Sequence, residues 1–191
     1  MIDPISQIER LLGEATRRGA PEPYAMALAT ARQNGAPAVR YVLLRGIDAR
    51  GFVFYTDARS RKGGELRSNP RAALALYWNA IGKQARIEGR VEEVEPELAD
   101  AYWSSRDRGK RLAAIASTQS APLAERADLL DRFRRLRAVY GSKEIPRPAC
   151  WTGFRIVPRS IELWTNRADR LHHRELFVFR RGAWQRRLLQ P

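Results

Sequence analysis

Ser60-Arg61-Lys62 puts a helix-capping hydroxyl directly before two cations, and the short helical segment that follows stops at Asn69-Pro70. The first turn of a helix has unpaired N–H groups and a partly positive end, and Arg and Lys add full charges, so this is a place to hold a phosphate. Just upstream, residues 40–46 are rich in Val, Leu and Tyr with an arginine near each end, and residues 52–56 form a second β-type run beyond turn chemistry at 48–51. Read alone, the stretch is also compatible with two sheet strands and a solvated basic helix. Other groups that bind anions or flat rings follow: Gln84, Tyr102, Arg106, Lys110, Gln119-Ser120, Trp164, and Arg170-Leu171-His172 with Arg174. No G-x-S-x-G nucleophile motif and no Gly-rich G-x-G-x-x-G turn accompanies them. Such a set suits a phosphorylated, planar cofactor that carries the reactivity itself.

The elements that must position these groups can be read in chain order. Asp3-Pro4 starts a helix whose face is Ile5, Ile8, Leu11, Leu12 and Ala15, ending at Gly19. Residues 24–32 read as a strand, and Asn34-Gly35 is a strong hairpin signal returning the chain into the Arg40 strand. The first three strands are therefore expected to form an antiparallel meander. Residues 71–78 and 83–94 are two more strands. A helical insert is expected over about 96–140, its last helix running over 123–140 with a stripe of Leu129, Leu130, Phe133, Leu136 and Tyr140. Strands resume at 151–157, 160–165, 176–180 and 183–189. Roughly nine antiparallel strands with one helical insert imply a mainly β, α+β chain closed or nearly closed into a barrel, with residues 1–191 as a single domain.

Composition narrows the function classes. With 191 residues and 44% hydrophobic content the chain can bury a substantial core. No apolar run reaches the ~20 residues of a membrane helix, and the N-terminus lacks a signal-peptide core, so a cytoplasmic location without membrane contact is expected. Cys150, His172 and His173 do not have zinc-site spacing, and no metal is expected. The net charge of +14 comes from 35 basic residues of which four are Lys, spread along the chain rather than blocked. Small phosphorylated ligands explain that charge as well as a polynucleotide does, and nonspecific nucleic-acid binding at low salt would be electrostatics only.

The blocks RYVLLRG, FVFYT, SRKGGEL-x-x-NPRAAL, QARIEGRVE, Tyr102-x-x-x-Arg106, Gln119-Ser120, IELW-x-x-x-x-x-RLH-x-R and a closing RRLLQP resemble, in order and spacing, the pyridoxamine 5′-phosphate oxidase family from about Tyr24 to Pro191. The resemblance implies an FMN-binding split β-barrel, working as a homodimer with the flavin held between subunits. It implies oxidation of pyridoxine 5′-phosphate or pyridoxamine 5′-phosphate to pyridoxal 5′-phosphate by hydride transfer to flavin N5, with molecular oxygen as acceptor and hydrogen peroxide as product. Carried over by position, FMN contacts fall at Arg40, Tyr41, Val42, Leu43, Leu44 and Arg45, at Tyr55 and Thr56, at Arg61 and Lys62 for the phosphate, and at Gln84, Gln119, Ser120, Trp164 and Arg174. Substrate contacts fall at Arg45, Tyr102, Arg106 and Lys110 for the phosphate. Arg170 and His172 hold the ring and are the catalytic pair.

The chain departs from the family pattern on the substrate side. Arg45 stands where the family usually has Lys, and Lys110 where it has Ser. Asp107 replaces a usual Pro, and Ile115 a usual Trp. Cationic character survives, but Arg and Lys are not interchangeable in a fitted pocket. The chain also opens close to the first shared helix, so the arm that family members fold over the substrate is expected to be short or absent. Three alternatives follow: a sister flavin oxidase of the same fold acting on a phenazine precursor, a split-barrel protein that stores or senses flavin or heme without turnover, and a basic nucleic-acid-binding module.

Overall fold

The computed structural model describes residues 3–191. Helix α1 (Pro4–Arg17) is capped by Asp3, whose carboxylate accepts the Ile5 N–H at 3.0 Å and the Ser6 N–H at 3.2 Å, and it buries Ile5, Ile8, Leu12 and Ala15. Strands β1 (Ala25–Ala31) and β2 (Pro37–Leu43) pair through the Asn34-Gly35 turn, where Gly35 takes φ 84°. The short β3 (Gly46–Asp48) pairs with β4 (Gly51–Asp57). Helix α2 (Arg61–Ser68) follows, capped by Ser60, and then β5 (Arg71–Trp78) and β6 (Lys83–Glu93). The insert is α3 (Pro96–Ser105), α4 (Arg108–Ala116) and α5 (Arg126–Tyr140). The chain ends in β7 (Trp151–Thr165), β8 (His173–Arg180) and β9 (Ala183–Leu189).

All nine strands join one antiparallel sheet in the order β2-β1-β5-β6-β7-β4-β3, with β8 and β9 branching from β7. The curled, branched sheet is a split β-barrel. Alternate residues of its strands, among them Met26, Leu28, Phe54, Leu76, Ile87, Phe154, Ile161 and Phe177, fill the interior, and α1 packs on the same core. A second cluster of Trp103, Leu112, Ile145 and Trp151 joins the insert to the sheet. Phe133, Leu136 and Tyr140 of α5 rest half-buried against it, whereas Leu130 is exposed.

Three sequence expectations change. The first three strands are not a meander: β2 pairs only with β1 and is a sheet edge. After Leu43 the backbone changes partners, the Leu44 N–H donating to the Tyr24 carbonyl and the Arg45 N–H to the Val53 carbonyl, each at 2.8–2.9 Å. The chain thus turns a corner between the two flanks of the barrel. The runs at 151–157 and 160–165 are one continuous strand, because β6 pairs along almost all of β7 and absorbs the irregularity as a bulge at Glu88/Gly89. Finally, α5 begins at Arg126, not residue 123.

The other side of β7 forks, with β4 along Trp151–Ile156 and β8 along Ser160–Thr165. Pro158, which has no N–H to offer a ladder, sits in the gap opposite Gly89. A Cβ on Gly89 would lie 2.2 Å from the Val157 carbonyl oxygen. Gly89→Ala is therefore expected to lower folding stability by about 1–3 kcal/mol, measured by urea unfolding; an unchanged midpoint would show that the bulge yields freely.

Candidate functional site

The residues singled out from sequence gather in three places. The first is the corner where β4 meets α2. Lys62 is buried, and its ammonium donates to Gln119 Oε1 at 2.8 Å, Thr56 Oγ1 at 3.1 Å and Ser60 Oγ at 3.3 Å. Thr56 also donates to Gln119 at 2.7 Å. None of these acceptors is charged. Burial, with the Arg40 charge close by, pushes the Lys62 pKa below its usual value. An anion brought to this corner would stabilise the ammonium.

One turn further along α2, buried Glu65 gathers the neighbouring cations. It accepts from Thr30 at 2.6 Å, from Arg61 Nε at 2.8 Å and from Arg40 Nη2 at 3.1 Å. Burial alone would raise its pKa, but hydrogen bonds from Thr30, Arg61 and Arg40 outweigh it and lower the carboxyl to about 2. Glu65 was not among the sequence candidates. Its signal was the i,i+4 spacing from Arg61 on a helix.

The second place is the outer face of the sheet. Tyr77, Gln84, Trp164 and Arg174 form one cross-strand row through β5, β6, β7 and β8. The His172 ring lies 4.6 Å from that of Trp164, and its Nδ1 accepts the Arg167 N–H at 3.3 Å. Arg170 is exposed, and it and Asp169 both take positive φ, 61° and 55°, in the turn entering β8. Arg174 is held by buried Glu162 at 2.8 Å and by the Gln190 carbonyl at 2.9 Å. Glu162 also pairs with Arg86 at 3.1 Å.

The third place lies under the insert. Tyr102 stacks on Tyr55 with ring centres 4.0 Å apart, and both lie nearly parallel to Trp151. Arg106, at the end of α3, lies over the same indole. Lys110 is exposed and paired with Asp107 at 2.8 Å, so two of the departures from the family pattern neutralise each other locally. Trp151 had no sequence signal beyond its type.

The remaining candidates are more scattered. Along β2, Tyr41 and Leu43 point outward and Val42 is half-buried, while Leu44 is core. The N–H groups of Leu44 and Arg45 are spent on the chain itself, so the open donors of this stretch belong to the β2 edge. Ser120 is exposed at φ 71°, and Arg45 is exposed. Cavities of about 610 Å³, between α1 and the Lys83–Trp164 end of the sheet, and about 760 Å³, beside residues 69–73 and 88–90, both exclude the Lys62 corner. Among the described residues no three His, Cys, Asp or Glu side chains converge on a metal site, and no helix is long and apolar enough to cross a membrane.

The fold is a split β-barrel, and its sites are lined by cations suited to anionic ligands. Comparison with known proteins gives the family. Residues 12–140 match the family described as pyridoxamine 5′-phosphate oxidase, and residues 151–191 match the pyridoxine 5′-phosphate oxidase C-terminal dimerisation region. The chain belongs to the pyridoxamine 5′-phosphate oxidase family, a family of oxidoreductases. It is 46% identical over 189 residues to the pyridoxine/pyridoxamine 5′-phosphate oxidase of Myxococcus xanthus strain DK1622, covering 99% of this chain and 92% of that one. It is 47% identical over 190 residues to the protein of the same name from Novosphingobium aromaticivorans, covering 99% and 94%. Among solved structures, PhzG from Burkholderia lata 383, in complex with tetrahydrophenazine-1-carboxylic acid, superposes with TM-score 0.95 at 34% identity over 99% of this chain and 93% of that one. A pyridoxamine 5′-phosphate oxidase-related, FMN binding protein from Nostoc punctiforme shares the fold, with TM-score 0.80 at 18% identity and full coverage of both chains.

The Glu65 carboxyl carries a pH prediction. Its folded pKa of about 2 lies below its ordinary 4.5, so its contribution is complete above pH 4.5 and is lost as pH falls toward 2. That shift corresponds to about 3 kcal/mol. Glu65→Gln is expected to lower stability at neutral pH by roughly 2–3 kcal/mol, with the gap to the native protein closing between pH 4.5 and 2 in acid titrations followed by circular dichroism. A gap that stays constant with pH would remove Glu65 from that role.

Proposed function

We propose that this protein is an FMN-dependent oxidase that converts pyridoxine 5′-phosphate or pyridoxamine 5′-phosphate to pyridoxal 5′-phosphate, acting as a homodimer with one flavin-binding domain per chain. The observation that carries the reading is Lys62, a buried ammonium with only neutral acceptors beside a capped helix start, in a chain of this family. These residues fit a flavin phosphate: Lys62 and Arg61 supply charge, and Thr56, Ser60 and Gln119 supply hydroxyl and amide groups. Gln84, Trp164 and Arg174 offer a flat polar row for the ring system.

These two groups stand at opposite ends of β7. Thr56 pairs with Thr152 and Gln84 with Trp164 on a strand of 15 residues, about 50 Å long if straight. A single small ligand that uses both groups needs one from each of two subunits. The match to a C-terminal dimerisation region and the exposed Val39, Tyr41 and Tyr77 on the outer face support such an assembly.

Bound FMN would supply the hydride acceptor and pass the electrons to oxygen, giving hydrogen peroxide. In this reading Arg106 and Arg45 neutralise the substrate phosphate and the Tyr102 hydroxyl donates a hydrogen bond to it. Arg170 and His172 orient the substrate ring, with Arg170 serving any proton transfer at the reacting carbon. The Arg167 N–H held on His172 Nδ1 fixes that imidazole's orientation and leaves Nε2 toward other partners. Most of the rate then comes from alignment and fixed charge.

A second reading keeps the flavin and changes the substrate to a reduced tricyclic ring, favoured by the likeness to PhzG and by the Asp107–Lys110 pair at the substrate helix. The deciding experiment is an anaerobic titration of FMN-loaded protein with pyridoxine 5′-phosphate. Bleaching of the flavin band, reversed by air, is expected. A bound flavin that stays oxidised, but is bleached by a dihydrophenazine acid, would favour the second reading. Arg170→Ala is expected to lower turnover about a hundredfold with FMN affinity little changed; full activity in that variant would remove its assigned role.

A further inference from the structure

Arg106 makes no salt bridge, although, after the Lys110 hydrogen bond and charge, its own charge also helps to lower the pKa of the adjacent Asp107. Among the described residues its guanidinium pairs with no carboxylate. Its one hydrogen bond runs from Nη2 to the Lys110 carbonyl at 3.3 Å, and Nε is buried with no partner. What surrounds it is aromatic: the guanidinium carbon is 4.9 Å from the centre of the Trp151 ring and 5.9 Å from those of Tyr102 and Trp103. A ring face attracts a cation without cancelling its charge. A carboxylate in the same place would cancel the charge and occupy the N–H donors. Lys110, one turn away, shows that contrast, with its ammonium held by Asp107.

Trp151 is the fixed member of this arrangement. It is 5% exposed at the start of β7, with Trp103 edge-on at 4.9 Å, and its carbonyl accepts Arg147 Nη1 at 2.8 Å. The same indole lies 5.4 Å from Tyr55 and 5.8 Å from Tyr102, both nearly parallel to it. One buried side chain therefore sets the place of Arg106 and of the Tyr102 ring together.

We propose that Trp151 is a positioning residue for the substrate phosphate: its ring face holds Arg106 at the end of α3 free of any salt bridge, ready for a phosphate dianion. The inference rests on the reading of Arg106 and Tyr102 as phosphate-binding groups, and the test separates the two.

FMN-loaded Trp151→Leu, Trp151→Phe and Arg106→Ala would be compared with the native enzyme for KM and kcat with pyridoxine 5′-phosphate and for competitive inhibition by unphosphorylated pyridoxine. Trp151→Leu is expected to raise KM about tenfold, with kcat, flavin content and the pyridoxine inhibition constant nearly unchanged. Trp151→Phe keeps a smaller ring face and should raise KM only about threefold. An unchanged KM in folded Trp151→Leu, or equal weakening of phosphate ester and free pyridoxine, would overturn the proposal. Where Trp151→Leu does not fold, Trp151→Phe decides by the same comparison of the two ligands. A raised KM in Arg106→Ala with unaffected Trp151 variants overturns the Trp151 role alone. An unchanged KM in Arg106→Ala overturns the substrate reading beneath it.

Discussion

Val157, Pro158 and Arg159 sit where β7 has lost β4 as a neighbour and not yet gained β8. β6 runs unbroken along the other side and takes up the mismatch at Glu88/Gly89. Two glycines allow the backbones to meet there: a Cβ on Gly51 would lie 2.0 Å from the Ile156 carbonyl, and one on Gly89 2.2 Å from that of Val157. Proline adds nothing to either ladder at the point where neither ladder exists. The whole architecture depends on this close approach. Before the fork, β7 belongs to the flank that carries β4, α2 and the Lys62 corner. After it, β7 carries the Trp164–Arg174 row and the His172 turn.

The charge of the protein is managed in three different ways, and the differences track position. Arg40, Arg61 and Arg174 are oriented by buried carboxylates, Glu65 and Glu162, which hold the fork of the guanidinium in place while sharing its charge. Lys62 is held by hydroxyl and amide oxygens, and burial with the nearby Arg40 charge lowers its pKa. Arg106 is held by ring faces and keeps its charge. Lys62 is buried and Arg106 half-buried with its Nε out of water, and a cation held so without a paired carboxylate costs stability unless an anion arrives. Under the proposed function the two such cations face two phosphates, one on the cofactor and one on the substrate. Arg155 shows the structural counterpart. It is 2% exposed and bonded to Asp48 at 2.8 Å and Glu95 at 3.4 Å, so its charge is balanced by carboxylates, with Nε alone left without a partner, and it fastens the β3–β4 hairpin to the start of α3.

Three of the departures from the family pattern, Asp107, Lys110 and Ile115, lie on or at the start of α4, and two of them are coupled. Asp107 and Lys110 pair across one turn of α4 at the surface. Ile115 rests half-buried against the Trp103–Trp151 cluster. The first change adds a cation and an anion that cancel each other beside Arg106, and the second leaves packing on the indole to an aliphatic side chain. Both leave the aromatic support of Arg106 intact. Under the proposed function, a phosphate-bearing ligand at that corner would be met chiefly by Arg106, because Lys110 is already paired with Asp107.

Much of this was legible in the chain itself. Ser60 as cap, the stop at Asn69-Pro70, the Asn34-Gly35 hairpin and the alternation in β6 are local, set by side chains acting on their own backbone within a few residues. The succession of motif blocks named the family, because their spacing reflects a shared fold. The corner at Leu44–Arg45, the continuity of β7 through Pro158 and the edge position of β2 were not legible, because each depends on which distant strand supplies the next hydrogen bond. The same holds for Glu65 and Trp151, whose partners come from up to 96 positions away along the chain, as Tyr55 does for Trp151. Sequence determined which groups carry charge and where helices and hairpins begin; the tertiary structure alone decided which charges are neutralised, because that depends on the carboxylate, hydroxyl or ring that packing brings alongside.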